Sequence, residues 1–199
     1  MYKVFYNQKP IFLTTDTNEN SDEFPLFYAK YTTAVSLIKA LKSKKVSGIY
    51  IYHAVREKLE KHFFKHFPIV EAAGGLVQHQ DGRYLFIYRN NKWDLPKGKI
   101  EKREIVLNAA IREVSEETAV ADLIVTKPLP TTYHIYNANG KYKLKLTHWY
   151  LMKTTYEGAL VPQTEENIQK AEWKTAIEIP ELLDNAYENI KTVVEAVEG

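Results

Sequence analysis

Residues 98–120, GKIEKREIVLNAAIREVSEETAV, constrain this chain more than any other stretch. Gly98 is followed by Glu104, then by Arg112-Glu113-Val114-Ser115-Glu116-Glu117, with Val120 closing the segment. At about 100° per residue, Glu113, Glu116 and Glu117 stand at i, i+3 and i+4, on one face of a helix. Leu107, Ile111 and Val114 form a second, apolar stripe, so the helix is expected to bury its aliphatic side while the acids face a cleft. Like charges at this spacing repel one another, and a bound cation would reverse the penalty. Mg²⁺ and Mn²⁺ favour carboxylate oxygens, retained waters and substrate phosphates. Such metals activate water and neutralise charge on a transferring phosphoryl group. Taken alone, a Glu-x-x-Glu-Glu cluster is an ordinary solvated helix face; fixed spacing over 23 residues raises it above that.

The segment resembles the Nudix box, Gly-x5-Glu-x7-Arg-Glu-U-x-Glu-Glu-x-Gly-U, where U is aliphatic. Gly98, Glu104, Arg112, Glu113, Val114, Glu116, Glu117 and Val120 match. The resemblance implies an α/β fold, a Nudix-type α/β/α sandwich with a mixed sheet. It also implies that Glu113, Glu116 and Glu117 bind Mg²⁺ or Mn²⁺, with the backbone carbonyl of Gly98 as a further ligand. Ala119 departs from the pattern, standing where the family has its second glycine. That position lies just past the helix, where left-handed backbone is often required, so alanine should cost on the order of 1 kcal/mol without removing a ligand.

The remaining roles combine chemistry with the resemblance. Glu104 is expected to bridge to Arg112, fixing loop to helix, with Arg112 an orienting group because guanidinium does not titrate. The general base is either a box glutamate or an acid on a later loop, where PQTEENIQKAEW supplies Glu165 and Glu166; an exposed loop acid is the plain alternative for Glu166. Lys97 lies in Leu95-Pro96-Lys97-Gly98, which resembles the loop of Nudix enzymes acting on dinucleoside polyphosphates and diphosphoinositol polyphosphates, and is expected to touch substrate phosphate. Lys99 reads as surface. Tyr136 lies where those relatives carry a base-stacking tyrosine, against the alternative of packing; Lys145, Tyr133 and His134 are further candidates for the same pocket.

Composition limits the alternatives. A net charge of +2 gives no strong polyanion-binding surface, so the expected partner is a small nucleotide rather than nucleic acid in general. The absence of cysteine excludes disulfides and thiolate chemistry. Residues 1–20 carry no secretory signal and no long apolar run is present, so neither a membrane nor export is expected, and a cytoplasmic protein follows.

Residues 1–66 read as a small α/β extension in the order ββαβα. Strands are expected at Met1–Phe5, Ile11–Thr14 and Gly48–His53, helices at Ala34–Leu41 and Val55–Phe67, and a loop over Thr15–Phe24. Its expected role is dimerisation or restriction of substrate. Lys61, His62, Lys65 and His66 form a basic stretch that reads as a solvated helix face. Residues 67–199 form the Nudix-like domain, with strands at Tyr133–Tyr136 and Tyr142–Lys153 and a C-terminal helix carrying the apolar positions from Leu182 to Val197.

The resemblance thus implies metal-dependent hydrolysis of a diphosphate linkage, with a dinucleoside polyphosphate such as diadenosine tetraphosphate as the expected substrate. Nucleoside triphosphates, ADP-ribose, diphosphoinositol polyphosphates and RNA 5′ ends are alternatives within the family. Ile135 and Tyr136 stand where ADP-ribose enzymes often carry proline. A non-catalytic nucleotide-sensing module is the alternative from another class, and the complete set of box acids counts against it.

Overall fold

The computed structural model describes residues 2–17 and 20–198. Met1 of the first expected strand, Asn18 and Glu19 of the expected loop, and Gly199 lie outside the described residues. The chain divides into two compact units, Met1–Val70 with Tyr133–Lys145, and Glu71–Thr132 with Leu146–Gly199.

In the first unit, β1 (Tyr2–Tyr6) and β2 (Lys9–Thr14) are antiparallel and reverse at Asn7, whose φ of 54° suits asparagine better than most residues. β3 (Leu26–Tyr28), α1 (Ala34–Lys42), β4 (Ile49–Tyr52) and α2 (Arg56–Phe64) follow. The order is therefore βββαβα. β3 escapes a sequence reading because three residues are too few to show alternation. It pairs in parallel with β4, which pairs in parallel with β2. A capping box starts α1: the Thr33 hydroxyl accepts the Ser36 N–H, and the Ser36 hydroxyl accepts the Thr33 N–H. Leu37, Ile38 and Leu41 of α1 and Leu59 and Phe63 of α2 cover the inward residues Val4, Ile11, Ile49 and Ile51.

The second unit is built from β5 (Ile69–His79), β6 (Tyr84–Arg89), β7 (Lys92–Asp94), β8 (Lys97–Lys99), α3 (Val106–Thr118), β9 (Ile124–Ala138), β10 (Lys141–Thr154), β11 (Ile168–Lys174), α4 (Ile179–Asp184) and α5 (Glu188–Glu198). The ends of β5, β9 and β10 belong by residue range to the first unit, where Tyr133 and Ile135 pair in parallel with Val4 and Tyr6 of β1. Alternation along β5 and β6 makes two apolar faces. Leu76 and Phe86, with Trp149, meet Ile179, Leu182, Ile190, Val193 and Val194 of α4 and α5. Ala73, Val77 and Leu85, with Met152, meet Ala109, Ala110 and Val114 of α3. The result is the expected α/β/α sandwich.

Three local expectations are corrected. The C-terminal helix breaks between Asp184 and Glu188, because the Asn185 carbonyl accepts the Trp93 N–H at 3.0 Å and the Asn185 side chain donates to the Asn91 carbonyl at 3.1 Å. β9 starts at Ile124, well before Tyr133; Pro128 and Pro130 disguise it, since proline cannot donate to a ladder. The buried side of α3 is Ala109, Ala110, Val114, Glu117 and Thr118, while Leu107 is 38 % exposed. Small residues let the helix sit close to the sheet, and that closeness carries Glu117 inward. No helix among the described residues is long and apolar enough to cross a membrane.

Candidate active site

β8 lies against β5 with Gly98 opposite Ala73 and Lys97 opposite Gly74. A Cβ at Gly74 would overlap Lys97 and the Pro96 carbonyl, so only glycine permits this approach. A Cβ at Gly98 would overlap the Glu113 carboxylate. A side chain at the first box glycine would therefore displace the Glu113 carboxylate from its place beside the loop.

Arg112 is the hub of one half of the site. It binds Glu104 through two parallel contacts, Nε to Oε1 and Nη2 to Oε2, both 2.8 Å. Its Nη1 donates to Glu113 Oε1 at 2.7 Å and to Glu116 Oε2 at 2.9 Å, and Nη2 donates to the Lys99 carbonyl at 3.1 Å. Glu104 also accepts the Glu101 N–H at 2.8 Å. Arg112 and that main-chain bond hold the Glu104 pKa down to about 2. The expected Glu104–Arg112 bridge is present and larger than anticipated, since one guanidinium holds three acids.

Glu117 belongs to the other half. It is 1 % exposed, accepts the Lys97 backbone N–H at 2.8 Å on Oε2, and has Arg89 Nη1 3.5 Å from Oε1. Burial pushes its pKa up to about 7, against the opposing pull of Lys97 and Arg89. Burial also raises the pKa of Glu113, and there the Arg112 contact opposes it. Behind Glu117 lies Asp94, 2 % exposed. Asp94 Oδ2 takes the Lys97 ammonium at 2.6 Å and Arg89 Nε at 3.1 Å, and Oδ1 takes the Leu95 N–H at 2.8 Å. Burial works against the Asp94 charge, but Lys97 and Arg89 outweigh it and hold the pKa below the usual carboxylate value.

This corrects the expectation for Lys97. Its ammonium is 6 % exposed, paired with Asp94, and set above the Trp149 ring at 5.9 Å. A buried aspartate needs a cation close by, and Lys97 fills that need rather than standing at the mouth of a site. Lys99 is exposed, as expected. Arg89 and Asp94 were not legible beforehand. Each is a single charge in a short strand, and nothing in their spacing shows that they meet Glu117.

Glu166 ends a 3-10 turn, Thr164–Glu166. Main-chain bonds from Val161 to the Thr118 carbonyl (3.0 Å) and from Gln163 to the Glu117 carbonyl (3.1 Å) tie the preceding loop to the end of α3. The Glu166 charge consequently acts on both Glu113 and Arg89. Ala119 ends α3 in left-handed backbone, φ 63° and ψ 9°, with its N–H on the Ser115 carbonyl. Tyr136 and Lys145 lie in the first unit, the ammonium 5.5 Å from the ring centre; Tyr133 packs on Phe64, and His134 opposes Phe5 across the β1–β9 pair.

Among the described residues, no group of three acids or histidines is drawn together as a cation cage. Arg112 engages Glu113 and Glu116, whereas Glu117 faces Arg89 and Lys97. The donor set still suits a hard divalent ion, being carboxylate oxygen throughout, with one Glu113 oxygen on Arg112 and the carboxylate lying against Gly98. An ion bound to this row would compete with Arg112 for oxygen.

The family model of the NUDIX domain matches residues 68–197. An RNA pyrophosphohydrolase of Erythrobacter litoralis is 28 % identical over 120 residues, covering 52 % of this chain and 73 % of the relative. Another from Sphingopyxis alaskensis is 31 % identical over 100 residues, covering 43 % and 63 %. Among solved structures, a C. elegans Ap4A hydrolase binary complex superposes with TM-score 0.51 at 22 % identity, covering 65 % of this chain and 95 % of that one. The MutT protein from Methanosarcina mazei Go1 gives 0.53 at 16 %, covering 66 % and 94 %.

Proposed function

The chain belongs to the Nudix family and is a pyrophosphohydrolase, and from that premise we propose that it cleaves a diphosphate linkage in a nucleoside polyphosphate. Glu113, Glu116 and Glu117, with the Gly98 carbonyl, would hold Mg²⁺ or Mn²⁺. The bound ion supplies an acidified water and charge neutralisation at phosphorus. Arg112 keeps Glu113 and Glu116 on the substrate side of α3 and is itself anchored by Glu104. The proton of the attacking water goes to a carboxylate, either a box glutamate or Glu166 on the later loop.

The observation that carries this reading is the coupling of loop to helix: one guanidinium joins Glu104, Glu113, Glu116 and the Lys99 carbonyl beside Gly98. Glu117→Gln should remain folded and lose at least about 100-fold in kcat. Near-native turnover in that variant would overturn the assignment.

For substrate, we favour dinucleoside polyphosphates such as diadenosine tetraphosphate. The Leu95-Pro96-Lys97-Gly98 loop and the likeness to a C. elegans Ap4A hydrolase support it. RNA 5′ ends are the second reading, favoured by relatives named RNA pyrophosphohydrolase. Product chromatography with Mg²⁺ on diadenosine tetraphosphate and a 5′-triphosphorylated oligoribonucleotide separates them. Release of pyrophosphate from the oligonucleotide alone would sink the first choice.

A further inference from the structure

The first unit holds a cluster of bases that the proposed hydrolysis does not use. On α2 and its C-cap, Lys58, His62 and Lys65 stand at i, i+4 and i+7 and share one face, whereas Glu60 falls on the opposite one and Glu57 lies about a right angle away, four residues before Lys61. Glu60 is occupied by Arg56 at 3.1 Å. His53, just after β4, stacks on His62 with ring centres 5.7 Å apart and planes inclined by 27°. Among the described residues, Lys30, Lys58, Lys61 and Lys65 form no ion pair with an acid.

The hydrogen bonds fix what the two rings offer. His53 Nδ1 accepts the Val55 N–H at 2.9 Å. His62 Nδ1 lies 3.3 Å from the Lys65 ammonium, which can only donate. Each ring therefore uses Nδ1 as acceptor and carries its proton on Nε2. Two stacked imidazoles thus supply N–H donors, and the lysines beside them supply further donors and no acceptor. Desolvation first, then Lys65, His53, Lys61 and Lys30, lower the His62 pKa; desolvation and Lys65 lower that of His66. Positive charge is concentrated here, and among the described residues none of these lysines is paired with an acid.

We propose that His53, His62 and Lys65, within the field of Lys30, Lys58 and Lys61, form a binding site for phosphoryl oxygens. The ligand is a phosphate-bearing anion, either inorganic phosphate chains or the polyphosphate chain of a nucleotide. Several negatively charged acceptor oxygens match a surface that presents only donors. The site goes beyond the hydrolase reading, because none of its residues belongs to the box.

The test uses the full chain, kept in EDTA so that no turnover occurs. Histidine Cε1–H signals are followed by NMR during titration with pyrophosphate, and separately with diadenosine tetraphosphate, at constant ionic strength in sodium chloride. His53 and His62 should shift together and saturably, and the pH at which His62 titrates should rise in the bound state. Lys65→Glu should weaken binding about tenfold or more, and His62→Ala should do the same with an unchanged circular dichroism spectrum. Stronger response to pyrophosphate assigns the inorganic source; stronger response to the dinucleotide assigns the nucleotide. Chloride moving the same signals as far, or Lys65→Glu binding as tightly as wild type, overturns the proposal. Either result leaves the Glu117→Gln experiment unaffected.

Discussion

In the second unit, Asp94 lies between Lys97 and Arg89, Arg89 reaches on to Glu117, and Arg112 gathers three glutamates. In the first, Lys58, His62 and Lys65 share a helix face with one another, and His53 stacks above. The two regions treat charge in opposite ways, and burial is the reason. A charge removed from water must find its partner inside the protein, because desolvation costs several kcal/mol per ion. A charge left in water is screened and can remain uncompensated until a ligand arrives. Compensation inside the protein buys a fixed geometry for Glu117, while its absence leaves α2 ready to accept an anion.

The largest test of this contrast is Asp94→Ala. It strands two buried cations, and a loss of about 3–5 kcal/mol is expected in urea unfolding. A loss below about 1 kcal/mol would show that Lys97 and Arg89 find other partners.

Glu117 gives the next effect, and its sign is unusual for a carboxylate. Its folded pKa, about 7, lies above the unfolded value of 4.5. The folded state therefore binds more protons between these values, and stability falls as pH rises through that window. Metal-free Glu117→Gln should be more stable than wild type at pH 8, by on the order of 2–3 kcal/mol, and equal to it near pH 4. Parallel melting curves check this, and an advantage that grows toward acid would contradict it. The residue on which turnover depends most would then be one that the empty fold tolerates at a cost.

How far the sequence foretold this depends on where the partners lie. Glu104, Arg112 and the three helix acids are legible because their distances along the chain are fixed by one loop and one helix. Ala119 is legible because the resemblance to the box puts a helix-ending glycine at that position, and the backbone turns left-handed there as expected. Arg89 and Asp94 are not legible, since a strand pairing brings them to Glu117 across 28 and 23 residues respectively. Lys97 misleads because its neighbours in sequence suggest a phosphate loop, while its depth is set by Gly74 on another strand. The stack of His53 on His62 is likewise hidden, one ring coming from the end of a strand and the other from the next helix.

Smaller effects sharpen the same comparison. Ala119→Gly relieves left-handed alanine and should stabilise the fold by about 1 kcal/mol, read as a rise in Tm with turnover unchanged. No gain would mean that the helix end has already relaxed. On the basic face, Lys58→Gln should raise stability by only a few tenths of a kcal/mol, because it removes one like-charge neighbour of Lys61, three residues on. A change above about 1 kcal/mol would imply a structural role that the exposed position does not suggest.

The break between α4 and α5 has a practical bearing on how this protein can be handled. Trp93, whose main chain is held by Asn185 and bridged to Ala186, sits two residues ahead of the Leu95-Pro96-Lys97-Gly98 loop. Any truncation or tag junction placed after Asp184 removes the clasp on that strand. Kinetics measured on such a shortened protein would report a loosened loop, so a tag is better placed beyond α5.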